Sequence, residues 1–131
     1  MIFLDTNIIS YYFNANIIVK EKILEAIDNN DSICTTIINI YEILKGFRWK
    51  GNNNKENQFK EFLEDVVVFT IDNDVVNIAA DIYSTLRKDG KTIGDADILI
   101  AAIVIKNNGV LVSNNTKHYE DIEQLKLINW L

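Results

Sequence analysis

The chain has 131 residues, of which 48% are hydrophobic and 24% charged, a composition typical of one folded domain with a buried core. Its 13 basic and 19 acidic residues give a net charge of −6, which argues against a protein that holds nucleic acid by broad electrostatic attraction. The same sign favours the binding of metal cations or of a basic protein partner.

Short strand-like runs alternate along the chain with segments of helical spacing. The predicted strands are Ile2–Leu4, Ser32–Thr35, Val66–Ile71, Val110–Val112 and Leu127–Ile128. The predicted helices are Val19–Asp28, Ile37–Phe47, Glu56–Glu64, Val75–Lys88 and Ala96–Lys106. This alternation predicts βαβ units and an α/β fold, in which helices cover both faces of a mostly parallel sheet. No apolar stretch reaches the roughly 18 residues of a membrane span, so we expect a soluble protein.

The first predicted strand ends on Asp5, within the opening MIFLDTNIIS. Ligands of parallel α/β sheets bind at the carboxyl ends of the strands. Residues 113–115 follow the strand Val110–Val112 in the same way, so we expect them to share one functional edge with Asp5. The second strand contains Cys34, the only cysteine, which excludes an internal disulfide and favours a buried thiol in a protein of the reducing cytoplasm.

The helix Ile37–Phe47 carries a single acid, Glu42, beside an apolar stripe. Taken alone, Glu42 is most simply interpreted as an exposed residue paired with Lys45, three positions later. A functional role for Glu42 stays open at this point. The charges of the next helix, Glu56–Glu64, are interpreted as a solvated face.

Two acids, Asp95 and Asp97, stand at the start of the helix Ala96–Lys106, which is apolar on every face and should be buried. Thr92 followed by Asp95 matches a capping box, and either acid complements the helix dipole. Asp97 shares a face with apolar residues, where burial is costly unless the carboxylate is paired or bound to a cation. Asp97 is therefore the harder of the two to interpret as a solvated charge, whereas Asp95 already has a structural role in the capping box.

Several familiar active sites are excluded. There is no GxGxxG fingerprint, no P-loop and no GxSxG elbow, and one cysteine with one histidine does not make a usual zinc site. The single histidine, His118, is predicted to be a solvated loop residue. An aspartyl-phosphate mechanism with Asp5 would need a second acid at position 7, which is Asn7. Carboxylate oxygens remain as the available ligands, and these suit Mg²⁺ or Mn²⁺.

Five segments together resemble a known family: LDTN, YEILKG, GDADILIAA, VSNNTKHY and the final NW. In this order and spacing they resemble the PIN-domain ribonucleases, in particular the VapC-type toxins of VapBC toxin–antitoxin pairs. The resemblance covers essentially the whole chain. It implies a Rossmann-like three-layer α/β/α fold, a single PIN-like domain over residues 1–131, and an active site that depends on Mg²⁺ or Mn²⁺.

The resemblance also assigns residues to the site. Asp5, Glu42 and Asp97 take the places of the family's first three acids and are the expected metal ligands. The fourth position falls on Asn115, completing the expected catalytic set, with Ser113 where threonine is usual. An amide binds cations more weakly than a carboxylate, which lowers the expected affinity for a second metal. Supporting roles are expected for Thr6, Asp95 and Ser113, and the hydroxyl of Thr6 either orients a ligand or caps the helix that follows it.

The implied function is an endoribonuclease toxin that hydrolyses RNA phosphodiesters with a metal-activated water. Its implied partner is a cognate VapB-type antitoxin with a basic inhibitory segment. Two alternatives stay open: a PIN nuclease of RNA processing without a toxin role, and a non-catalytic RNA- or protein-binding module on the same fold. Local phosphate contacts are expected from Lys45, Arg48, Lys50 and Lys117.

The family resemblance further implies a homodimer. The helix that follows Asp5 supplies candidate interface residues, since it carries more large apolar side chains than one narrow face can hide. These are Ile8, Ile9, Tyr11, Tyr12 and Phe13.

Overall fold

The computed structural model describes all residues, 1–131, as five strands and seven helices. The strands are β1 (Ile2–Leu4), β2 (Ile33–Thr36), β3 (Val67–Phe69), β4 (Val110–Val112) and β5 (Lys126–Ile128). The helices are α1 (Thr6–Phe13), α2 (Ile17–Asp28), α3 (Ile37–Trp49), α4 (Asn53–Leu63), α5 (Asn73–Lys88), α6 (Asp95–Lys106) and α7 (Thr116–Tyr119).

All five strands join one parallel sheet in the order β3-β2-β1-β4-β5. The strand β1 is therefore central, and its register pairs Leu4 with Val112 on β4. The next residues, Asp5 and Ser113, then leave the sheet side by side at its carboxyl edge. The predicted functional edge is confirmed.

Two hydrophobic clusters cover the two faces of the sheet. Successive side chains of a strand point to opposite faces, so Phe3 packs in the cluster formed with α5 and α6, while Leu4 packs in the cluster formed with α1 to α4. Cys34 is fully buried in the first cluster, as predicted. The structure thus confirms the three-layer α/β/α fold with a parallel sheet.

The predicted strands and helices are all present, with bounds that agree within three residues. The short helix α7 has no counterpart among the predicted elements, and His118 lies on it rather than in a loop. The apolar helix α6 is buried as expected, with Ile98 and all of residues 100–104 inaccessible or nearly so. No helix combines the length and the apolar character that crossing a membrane requires.

The start of α6 corrects one prediction. The helix begins at Asp95 with Gly94 as its N-cap, and no side chain caps it. The predicted capping box of Thr92 and Asp95 is wrong, because the chain is still extended at Gly94 and Asp95 enters the helix two positions earlier than such a box requires. Asp95 is left exposed in the first turn.

The apolar side chains of α1 correct a second prediction, that of the dimer surface. Ile8 and Ile9 are fully buried, and Tyr11, Tyr12 and Phe13 pack partly buried against the same core. Phe13 makes edge-on contacts with three rings of α3 and α4, at centroid distances of 5.5–6.4 Å. The prediction that these residues form a dimer surface is wrong for the buried pair, because Ile8 and Ile9 lie in the core cluster shared by the sheet and helices α2, α3 and α4.

Candidate active site

A cavity of about 600 Å³ opens at the carboxyl edge of the sheet, where β1 and β4 end. Four elements build its wall: one face of α1, the middle of α3, the start of α6, and α7 with the residue before it. The residues of chemical interest in the lining are Asp5, Thr6, Asn7, Glu42, Asp97, Asn115 and His118. The four residues of the expected catalytic set therefore face one cavity, whereas Asp95 does not line it.

Asp5 forms the floor of the cavity and is only 4% exposed. Its Oδ1 accepts hydrogen bonds from the backbone N–H of Thr6 and from Nδ2 of Asn39, both at 2.9 Å. Its Oδ2 accepts from Oγ of Ser113 at 2.7 Å. Burial raises the pKa of Asp5, the nearby carboxylate of Asp97 adds to this, and the three donors partly offset it.

Asn39 is the main site residue that the sequence analysis missed. It is fully buried, and its amide is oriented by the N-cap residue of α3, Thr36, whose hydroxyl donates to Oδ1 at 2.6 Å. The Nδ2 group is thereby directed to Asp5 and to Oγ1 of Thr6, at 2.9 and 3.0 Å. One signal was available: Asn39 is a polar residue among apolar ones, three positions before Glu42 and so on the same helical face.

Glu42 is half-buried, and its Oε1 accepts a hydrogen bond from Oγ1 of Thr6 at 2.7 Å. It forms no ion pair with Lys45, whose ammonium lies 5.2 Å from the ring centre of Tyr41. The simple interpretation of Glu42 as an exposed helix partner of Lys45 is therefore wrong. The Thr6 hydroxyl does not cap α1 either, since the side chain of Asp5 does, so Thr6 orients Glu42 instead.

Asp97 lies on the rim, and its side chain is 25% exposed. Two consecutive residues of α7 hold its two oxygens. Tyr119 donates from its hydroxyl to Oδ1 at 3.2 Å, and Nδ1 of His118 lies 3.1 Å from Oδ2. Burial and the adjacent carboxylates raise the pKa of Tyr119, so it remains a protonated donor. His118 is exposed, as the prediction of a solvated residue required, but its ring lies against Asp97 instead of standing free in a loop.

Ser113 links the floor to the rim. It is fully buried, donates to Asp5, and accepts from the backbone N–H of Asn115 at 3.0 Å. Next to it, the side chain of Asn7 accepts from the N–H of Asn114 at 3.1 Å. These bonds fix the turn after β4, which places the side chain of Asn115 at the cavity.

Comparison with known proteins identifies the lineage. A protein-family model described as PIN domain matches residues 2–123. The chain belongs to the PIN-domain family. Its relatives include the protein named ribonuclease VapC2 of Rickettsia felis, 31% identical over 129 residues, which cover 97% of this chain and 96% of the relative. Ribonuclease VapC1 of Haemophilus influenzae (strain R2866) is 30% identical with the same coverage.

A solved structure agrees with these sequence relatives. The complex described as VapBC2 from Rickettsia felis bound to a DNA fragment from their promoter contains a chain that is 30% identical and superimposes with a TM-score of 0.86. All of both chains is covered. The expected resemblance to PIN-domain ribonucleases of the VapC type is confirmed.

The oxygen-rich lining of this PIN domain fits a hard divalent cation, with one restriction. No three His, Cys, Asp or Glu side chains lie close enough to form a metal-binding cluster. Asp5 and Asp97 are near enough for one carboxylate to raise the pKa of the other, while Glu42 is held by Thr6. Mg²⁺ commonly binds through one or two carboxylates and keeps several waters. The arrangement therefore fits a hydrated ion on Asp5 and Asp97, rather than a ready-made cage of three acids.

Proposed function

We propose that this PIN domain is an endoribonuclease that acts as the toxin of a toxin–antitoxin pair. The observation that carries the proposal is a single cavity, lined by Asp5, Glu42, Asp97 and Asn115, at the carboxyl edge of a sheet. The relatives named ribonuclease VapC, at about 30% identity over nearly the whole chain, support RNA as the substrate. An RNA substrate and the unpaired thiol of Cys34 favour the cytoplasm as its compartment.

We further propose that the reaction depends on Mg²⁺ or Mn²⁺, held by Asp5 and Asp97, with Glu42 and Asn115 completing the site. Such an ion, when bound, lowers the pKa of a water and stabilises charge on the phosphate. The charges of the lining support this dependence: burial and the neighbouring carboxylate of Asp97 raise the pKa of Asp5, and a bound cation would offset that cost.

The residues of the chain prepare the site before substrate arrives. Three donors fix the orientation of Asp5, and Thr6 and α7 do the same for Glu42 and Asp97. Ligating carboxylates that are themselves hydrogen-bonded hold their geometry better, which is why such outer partners matter for activity. Asn115 offers an uncharged oxygen and amide at the rim, suited to a water or to a substrate oxygen.

The proposed antitoxin acts on the same cavity. Solved relatives are described as VapBC complexes, which supports a cognate protein partner for this chain. Without metal the cavity is anionic and its lining contains no lysine or arginine. A basic antitoxin segment would pair with the carboxylates and exclude both metal and RNA.

A homodimer is also proposed, on a different surface from the one the sequence suggested. Helix α3 exposes Ile37 by 40%, Tyr41 by 62% and Trp49 by 90%. Large apolar side chains grouped on one exposed helix face favour a protein interface. Light scattering of the purified chain at micromolar concentration should give the mass of a dimer, and Trp49→Glu should give that of a monomer; a monomeric wild type would contradict the proposal.

Cleavage of RNA by the purified protein tests the function directly. We expect cleavage of a structured RNA with Mg²⁺ or Mn²⁺, none with EDTA, and inhibition by the co-purified product of an adjacent antitoxin gene. Growth arrest on expression, relieved by the antitoxin, would separate a toxin from a processing nuclease. RNA binding without cleavage under every metal condition would contradict the catalytic proposal.

A further inference from the structure

A second groove, of about 330 Å³, continues the catalytic cavity between α1, α3 and the start of α4. The two spaces share Thr6, Ser10, Asn14 and Glu42 in their linings, so one opens into the other. The far end of the groove is formed by Lys50, Asn52 and Lys55. This groove extends the site, and the catalytic proposal assigns no role to the lysines at its far end.

Charge distinguishes the groove from the cavity. The cavity contains three acids and no lysine or arginine, whereas the groove contains two lysines and the single acid Glu42 at the junction. Lys50 is exposed and makes no ion pair, and Lys55 donates to the carbonyl oxygen of Phe13 at 2.9 Å, which leaves two of its three N–H groups for a ligand.

The other cations of α3 are engaged elsewhere. Arg48 donates to Glu56 at 2.9 Å, and the ammonium of Lys45 lies against the ring of Tyr41. Of the three cations on α3 and its C-cap that the sequence led us to expect at phosphate, only the C-cap residue Lys50 lines the groove. Lys50 has no carboxylate partner, although acidic residues outnumber basic ones in this chain, whose net charge is −6.

Gly46 shows that the groove is kept open. It lies in the last turn of α3, inside the helix, where glycine is less favourable than alanine. No atom lies within 4 Å of the position that a Cβ would take, so packing does not require the missing side chain. Gly46 lines the groove, and a long side chain there would project into it.

We propose that this groove binds the phosphate backbone of single-stranded RNA on one side of the scissile bond, with Lys50 and Lys55 contacting phosphates. The inference rests on the proposed ribonuclease function. Lys50 lies eight positions after Glu42, about 12 Å along the axis of α3, which is the length of roughly three to four stacked nucleotides at about 3.4 Å each. Ser10 and Asn14 offer neutral hydrogen-bonding groups to the sugar or base at the junction.

The charges select RNA over the antitoxin as the occupant. A basic segment that enters the anionic cavity would be repelled by two lysines along the groove. A nucleic-acid strand has the opposite requirement: its scissile phosphate needs a cation beside the acids, and its neighbouring phosphates need the cations of the protein.

Binding of a fluorescently labelled poly(U) oligonucleotide, measured by anisotropy in EDTA over a series of salt concentrations, tests this assignment. Lys50→Gln should weaken binding about fivefold and lower the slope of log affinity against log salt by about 0.7. The matched control is Lys126→Gln, because Lys126 is also exposed and unpaired but lies at the opposite edge of the sheet, next to Val110. Gly46→Leu should weaken binding further, whereas Gly46→Ala should not.

The outcomes separate this inference from the function on which it rests. A wild type that cleaves RNA while Lys50→Gln and Gly46→Leu bind poly(U) as tightly as their controls would overturn the groove assignment alone. Unchanged RNA affinity with weakened antitoxin affinity would assign the groove to the protein partner and also overturn it. A wild type that neither binds nor cleaves RNA would overturn both proposals.

Discussion

The floor and the rim of the cavity hold their acids in different ways. On the floor, Asp5 is 4% exposed and receives three hydrogen bonds, from α1, α3 and the end of β4. On the rim, the side chain of Asp97 is 25% exposed and is held by two adjacent residues of the four-residue helix α7.

This difference in burial and support implies that the floor and the rim respond differently to mutation. The floor is built into the sheet, so its geometry is set whenever the core is folded, at the expense of burying a carboxylate. The rim depends on one short helix at the surface. Local opening of such a helix takes less free energy than opening of the core. The floor should therefore be sensitive to any loss of a donor, and the rim should tolerate it.

The largest effect is expected from removing a carboxylate charge from either region. Asp5→Asn, Glu42→Gln and Asp97→Asn should each lower the rate of RNA cleavage by more than about 100-fold, since even outer partners of ligands account for 10- to 100-fold. Circular dichroism should show an intact fold for all three. Cleavage at near wild-type rate by Asp97→Asn would contradict the role of Asp97 and leave Asp95 as the acid that α6 supplies to the site.

The floor should next be sensitive to the loss of Asn39. Asn39→Ala should reduce cleavage about 10- to 100-fold and the free energy of unfolding by about 1–3 kcal/mol, because it removes one of the three donors to the buried Asp5 and the acceptor of the buried Thr36 hydroxyl. Urea unfolding and initial cleavage rates would measure both. Asn77→Ala is the control, since Asn77 is exposed on α5 and bonds only to a carbonyl of its own helix. Equal losses of cleavage rate and stability in the two variants would contradict the role assigned to Asn39.

The rim should be less sensitive. His118→Gln should reduce cleavage by about tenfold or less, because Tyr119 still holds the other oxygen of Asp97. The Mn²⁺ concentration for half-maximal cleavage should rise by a similar factor, whereas the urea midpoint should not change. A loss of cleavage rate as large as that of Asn39→Ala would show that floor and rim are equally sensitive to the removal of a hydrogen-bond partner.

Stability against pH gives a further contrast between the regions. The folded-state pKa of Asp5 is raised above 3.8, so its ionisation destabilises the fold as pH rises through the window between the unfolded and folded values. Asp5→Asn should therefore increase thermal stability at neutral pH in EDTA, and this gain should disappear below about pH 3.8. Asp97→Asn should change stability little, and a destabilised Asp5→Asn would show that its hydrogen bonds outweigh the cost of burial.

The smallest effect is expected at Asp95, which is exposed and outside the cavity. Asp95→Asn removes only an interaction with the dipole of α6, about 0.3–1 kcal/mol, and should leave cleavage close to wild type. Thr92→Ala should change neither quantity, because Thr92 does not cap the helix. A clear loss of activity with Asp95→Asn would bring this residue back into the site.

The sequence by itself determined the order of strands and helices and the position of Asp5 and residues 113–115 at strand ends. These follow from periodicity and from apolar runs, which are local properties of the chain. The parallel sheet follows from them, because alternating strands and helices have few ways to bury their apolar faces. The roles of Glu42, Asp97 and Asn115 remain predictions, although all three face the cavity as the resemblance implied.

Tertiary structure alone decided what surrounds those acids. Ser113 reaches Asp5 across 108 positions of the chain and Asn39 reaches it across 34, and no local pattern encodes such a bond. The same holds for the hydrogen bond of Tyr119 to Asp97 and for the burial of Ile8 and Ile9 in the core between the sheet and its helices. A hydrogen bond between distant residues exists only once the order of strands in the sheet has brought them together, so the sequence could name the acids but not the donors that orient them.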